Sequence, residues 1–111
     1  MAGKFELRKT AGGKFVFSLK AANGRVILTG ETYQSKSAAQ GGIDAVRRSA
    51  GKDANYERKT SRKGEPFFVL QAANGEIIGT SEMYSSPSAM EAGIDSVKEN
   101  APKAVVDDQT A

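Results

Sequence analysis

Two copies of one pair, Glu31/Tyr33 and Glu82/Tyr84, have the types and spacing that suit acid–base chemistry. Side chains two apart on a strand face the same way, and a carboxylate beside a phenol can pass a proton. The competing reading is structural. Each Tyr would pack its ring beneath a following helix, and each Glu would sit near that helix's N-terminus, where the dipole favours it. The structural reading weighs more, because the sequence holds no His and no Cys. That removes disulfides and thiol nucleophiles, the usual zinc ligands, and the imidazole that most general bases use. No catalytic residue, metal site or cofactor is expected, and the chain reads as a non-enzyme.

Binding chemistry is better represented. The run "ERKTSRKGE" (residues 57–65) gathers Arg58, Lys59, Arg62 and Lys63 at one turn, and Arg8, Lys9 and Lys14 hold the matching place earlier. Such loops can neutralise phosphates. Net charge is +3 but uneven: residues 1–55 carry ten Lys and Arg against four Asp and Glu, about +6, and residues 56–111 six against nine, about −3. Single-strand readers also stack bases on exposed aromatics, and only Phe67 points off the expected core face. Lys and Arg on outer strands serve equally to discourage edge pairing. The run "TAGGK" (residues 10–14) and the serines Ser35 and Ser37 invite a phosphate reading, but the glycine spacing matches neither the P-loop nor the dinucleotide fingerprint.

The elements that must position these residues come from a duplication. Asn23 aligns with Asn74, 51 positions on, and the match runs without a gap from Phe5/Tyr56 to Ala50/Ala101. Identical pairs include Phe17/Phe68, Leu19/Leu70, Gly24/Gly75, Thr29/Thr80, Tyr33/Tyr84, Gly42/Gly93 and Val46/Val97. Each copy begins with a strand ("KFELRK", residues 4–9, in the first) and a turn. A hairpin follows, with Asn-Gly at its tip predicting a two-residue type I′ turn. That register puts Phe17, Leu19, Ala21, Val26 and Leu28 on one face, and Ser18, Lys20, Ala22, Arg25, Ile27 and Thr29 on the other. The period then changes. Ala39, Ile43, Val46 and Ala50, and their counterparts Met90, Ile94, Val97 and Ala101, form helical stripes. Ser35 and Ser86 are the expected N-caps, with Pro87 at the first helical position of the second helix. Gly42 and Gly93 are costly inside a helix, so close packing is expected to compensate.

The phrases "FSLKAANGRVILTGETYQSKS" and "FVLQAANGEIIGTSEMYSSPS", each followed by "GID-V" at Gly42–Val46 and Gly93–Val97, resemble the YegP-like family of small uncharacterised bacterial proteins, in its tandem-repeat form. The resemblance spans nearly the whole chain. It implies β-β-β-α-β units that share one antiparallel sheet and exchange their C-terminal strands. It brings no established activity, substrate or functional residue.

The expected fold is therefore α+β: two repeats, about 3–53 and 54–107, in one pseudo-two-fold domain over residues 1–111, with both helices on one sheet face and a frayed tail at 108–111. The middle segment "DANYERKTS" (residues 53–61) should close the first unit and open the second as one strand. The face away from the helices should show Val16, Ile27, Phe67, Val69 and Ile78, a partly apolar surface suited to a protein partner. No apolar leader or membrane-length run is present, so the expected setting is cytoplasmic. The expected function is a monomeric binding module that engages a protein through this sheet face. Nucleic acid at the basic loops is the alternative, and an enzyme using the Glu/Tyr pairs ranks third.

Overall fold

The computed structural model describes residues 3–110. In chain order the elements are β1 (Lys4–Lys9), β2 (Phe15–Lys20), β3 (Val26–Gly30), α1 (Lys36–Ser49), a 3₁₀ turn (Asp53–Asn55), β4 (Tyr56–Thr60), β5 (Pro66–Gln71), β6 (Ile77–Thr80), α2 (Pro87–Asn100) and β7 (Val105–Asp108). The fold is α+β. All seven strands form one sheet in the order β4-β5-β6-β3-β2-β1-β7.

The repeats meet at β3 and β6, where Thr29 pairs with Thr80, its own counterpart, as a two-fold through this seam requires. Phe5, Leu7, Phe17, Leu19 and Leu28 of the first repeat, with Tyr56, Phe68 and Leu70 of the second, are buried beneath the helical stripes. Each helix packs partly on the other repeat: α1 touches β6 and β5 as well as β2, and α2 touches β3 as well as β5. Ser35 and Ser86 cap the helices by accepting from the backbone N–H of Ala38 and Ala89, at 3.1 Å in each case. A Cβ on Gly93 would run into the Tyr84 hydroxyl and lie 2.6 Å from its Cζ; on Gly42 it would lie 2.6 Å from Tyr33 Cζ. The helical glycines thus make room for the two junction tyrosines, whose rings stack on Phe17 and Phe68.

The hairpin turns differ from the type I′ expectation. Among the described residues none other than glycine has positive φ, so Asn23 and Asn74 cannot supply the first central position. Instead the Gly24 N–H donates to Ala21 O and the Ala21 N–H to Arg25 O, a three-residue loop closed by Gly24 at φ 84°. All four hairpins use this design, with Gly13, Gly24, Gly64 and Gly75 in the same place. The longer loop shifts the register: Lys20 pairs with Val26, and Gln71 with Ile77. Ile27 and Ile78 become the extra residues of bulges and are 7% exposed, within the core cluster rather than on an open face.

Two further expectations change. The sheet is not wholly antiparallel, because β7 runs parallel to β1, from Lys4↔Val105 to Leu7↔Asp108. This is the expected exchange of a C-terminal strand, but it happens once. The first repeat has no such strand to give, because the residues in the matching place are those that open β4. Among the described residues β4 pairs only with β5 and forms the other edge. The tail is also held: Asp108 belongs to β7, the Gln109 N–H donates to Leu7 O at 2.8 Å, and the Thr110 hydroxyl donates to Asp108 at 2.6 Å. Ala111 lies outside the described residues.

Candidate functional site

The basic residues do not converge. β3 and β6 are antiparallel, so the β1–β2 tip with Lys9 and Lys14 lies at one end of the sheet, and the β4–β5 tip with Arg62 and Lys63 at the other. Arg58 is already engaged. Its guanidinium donates to Glu91 Oε1 at 2.9 Å and to Asp53 Oδ1 at 3.1 Å, and Lys98 closes the group on Asp53 at 3.0 Å. These hydrogen bonds hold the Glu91 and Asp53 carboxyls below their ordinary range and push Arg58 further up. Lys59 pairs with Glu57, and Arg8 donates to Ser18.

The sheet face away from the helices is less apolar than expected. Val69 is 3% exposed, and Val16 and Phe67 are half-buried. With Ile27 and Ile78 turned inward by the bulges, the five expected residues do not make one exposed patch. Charged pairs cross the β1–β2 side of this face, with Lys20 on Glu6 at 2.9 Å and Lys4 on Asp107 at 3.3 Å.

A concavity lies on the helix side, at a corner built from both repeats. The β2–β3 tip of the first repeat leans toward α2 of the second, and the chain from Glu82 to Ser85 forms the third wall. The groove is about 600 Å³. Arg25 and Asn23 line it from the tip, Glu82 and Tyr84 from the junction, and Gly93 and Ser96 from the helix. Met83 beside it is 47% exposed. Among the described residues neither Arg25 nor Glu82 has an ion-pair partner, and the Tyr84 hydroxyl has no hydrogen-bond partner.

Two details separate this corner from its counterpart at Tyr33. There, Tyr33 and Phe15 exchange two backbone hydrogen bonds, at 2.7 and 2.8 Å. At Tyr84 the partner is Pro66, which has no N–H to return, so only the Tyr84 N–H donates, at 2.8 Å. The charges differ too. Burial pushes both phenols up, and at Tyr33 the carboxylates of Glu31 and Glu76 push in the same direction. At Tyr84 the push from Glu82 is opposed by Arg25.

The four residues considered for acid–base work therefore split between the two ends of the sheet, Glu82 and Tyr84 in the groove and Glu31 and Tyr33 away from it. Among the described residues, no three acidic side chains gather as a metal ion would need. Arg25 was legible only as a hairpin residue; its place beside Tyr84 depends on how the repeats pack. The signal that marks it is the one charge reversal between the two hairpin tips, Arg25 against Glu76.

Comparison with known proteins agrees with the repeat. Residues 11–57 and 61–108 each match the family described as "Domain of unknown function (DUF1508)". UPF0339 protein YegP of Escherichia coli K12 is 47% identical over 110 residues, covering 99% of this chain and 100% of that protein. A UPF0339 protein of Bordetella pertussis is 49% identical over 110 residues, 99% of this chain and 98% of that one. The solution NMR structure of the E. coli protein, described as of unknown function, superposes with TM-score 0.94 at 47% identity, covering 100% of this chain and 96% of that one. A UPF0339 protein from Shewanella oneidensis gives TM-score 0.93 at 45% identity, over 99% and 93%. With two repeats, full-length relatives and the same fold, the chain belongs to the YegP-like UPF0339 family of bacterial proteins.

Proposed function

We propose that the chain is a monomeric, non-enzymatic binding module of the bacterial cytoplasm, and that it captures its ligand in the groove beside Tyr84. One observation carries this reading: the groove is concave, spans both repeats, and is lined by polar groups that the fold leaves unspent, the Arg25 guanidinium and the Tyr84 hydroxyl. Such a volume suits a small ligand, with few polar groups set among apolar ones. Burial favours the protonated phenols, which makes them hydrogen-bond donors rather than bases. Among the described residues no helix is long and apolar enough to cross a membrane.

The reading moves the site from the sheet face to the helix side, because Ile27, Val69 and Ile78 are spent on the chain's own packing. Nucleic acid is less favoured, because the basic tips lie at opposite ends and Arg58 is neutralised.

An amide chemical-shift titration of the labelled protein tests this. The ligands are a library of small polar fragments and short RNA and DNA at low and high salt. Fragment shifts gathered at Arg25, Tyr84, Ala92 and Gly93 are the expected result. No response in the groove to any fragment would overturn the reading. Salt-sensitive shifts at Arg8–Lys14 and Arg58–Lys63 with RNA or DNA would replace it with phosphate binding.

A further inference from the structure

Duplication gives the Tyr84 and Tyr33 corners the same parts. Each has a hairpin tip from the other repeat, a junction tyrosine and a helical glycine beneath its hydroxyl. One substitution separates their electrostatics: the tip beside Tyr84 carries Arg25, and the tip beside Tyr33 carries Glu76. An anionic group arriving at Tyr33 meets two carboxylates, Glu31 and Glu76. Arriving at Tyr84 it meets a guanidinium that has no ion-pair partner among the described residues. A guanidinium offers donors in a planar fork that fits a carboxylate, and the phenol adds a further donor. Glu82 in the same groove is an acceptor. It would repel a pure anion but attract the ammonium or amide end of a ligand that carries both signs.

Resting on the binding reading above, we propose that the Tyr84 groove takes a small zwitterion. Arg25 holds its anionic group, the Tyr84 hydroxyl donates to it, and Glu82 accepts from its cationic end, while the Tyr33 corner rejects it. The two repeats have then kept one architecture and diverged in ligand chemistry.

The test uses the full chain and three probes: glycylglycine as the zwitterion, acetate as the anion and propylamine as the cation. Glycylglycine is expected to shift the amides of Arg25, Tyr84 and Gly93 in the millimolar range, to leave Tyr33 and Gly42 unmoved, and to exceed both single-charge probes. Arg25 is exposed on a loop, so Arg25→Glu should fold and lose about tenfold in affinity. Glu76→Arg should bring a response to Tyr33 and Gly42, a gain that mere destabilisation cannot mimic. Equal response to all three probes, or an Arg25→Glu variant that binds as before, would overturn the zwitterion assignment. If glycylglycine fails while neutral fragments still fill the groove, this assignment alone falls; if nothing enters the groove, the binding reading falls with it.

Discussion

Leu28 and Gly79 hold equivalent positions in the two repeats, yet one is a large side chain and the other has none. Both lie close to the seam. A Cβ on Gly79 would sit 2.6 Å from Leu28 Cδ2, so Leu28 fills the space that a second leucine would need. A homodimer of single repeats must place the same residue in both positions. A tandem chain can make them differ, and here it has done so. Gly79→Val is expected to cost about 1–3 kcal/mol by overpacking, and Leu28→Ala about 2–5 kcal/mol by leaving a cavity. The double variant should cost less than the sum in urea unfolding; strictly additive costs would mean that the two sites share no space. Tyr56 makes a different kind of contact. Burial pushes its phenol well above the ordinary range, and the hydroxyl donates to Ala50 O at 2.7 Å. Tyr56→Phe removes the donor and strands a carbonyl at the end of α1, so a loss of about 1–2 kcal/mol is expected. An unchanged urea midpoint would show that water replaces the hydroxyl.

Among the elements, β7 joins a backbone ladder on β1 to exposed ion pairs from Lys4 and Lys36. Val105 is 67% exposed and Val106 39%, so the strand buries little apolar surface. Hydrogen bonds from Gln109 and Lys4 lower the Asp107 carboxyl, and those from Lys36 and Thr110 bring Asp108 down to about 2. Folded values below the ordinary 3.8 mean that these groups stabilise the strand in full above that pH and lose the contribution as pH falls toward 2. Acid should therefore loosen β7 before the core. The amide of Gln109, bonded to Leu7 O, should lose exchange protection between about pH 4 and 2 while Leu19 and Leu70 keep theirs. Simultaneous loss at all three would show that β7 has no separate step. The direction of β7 could not be read from the sequence, since "KAVVD" does not reveal which strand it joins. Strands, helices and caps were legible because period, Ser35, Ser86 and Pro87 are local signals. The turns were misread because Asn-Gly serves both a two-residue and a three-residue loop. That one extra loop residue buried Ile27 and Ile78 and with them much of the expected sheet-face site.

For the whole molecule, the decisive feature is that each repeat is completed by the other. Helix α1 rests partly on β6, α2 partly on β3, and β7 closes the outer edge of β1. At the opposite edge the described residues supply no eighth strand, and the group Asp53, Arg58, Glu91 and Lys98 closes over β4 instead. Arg58 occupies the place that Leu7 holds in the first repeat, so a residue that would need covering is replaced by one that tolerates water and discourages edge pairing. The groove at Tyr84 belongs to this scale too, which is why the sequence named its residues separately and never as neighbours. A fragment of about fifty residues that loses half its helix contacts and the β3–β6 seam cannot bury enough surface alone. Residues 1–55 expressed by themselves should therefore be unfolded when dilute, as judged by circular dichroism and amide dispersion. At high concentration they should gain structure only by pairing, since a second copy can offer the missing seam. A folded monomer of residues 1–55 at low concentration would falsify this mutual dependence. It would also undercut the groove, because a repeat that stands alone has no need to place its hairpin tip against its neighbour's helix.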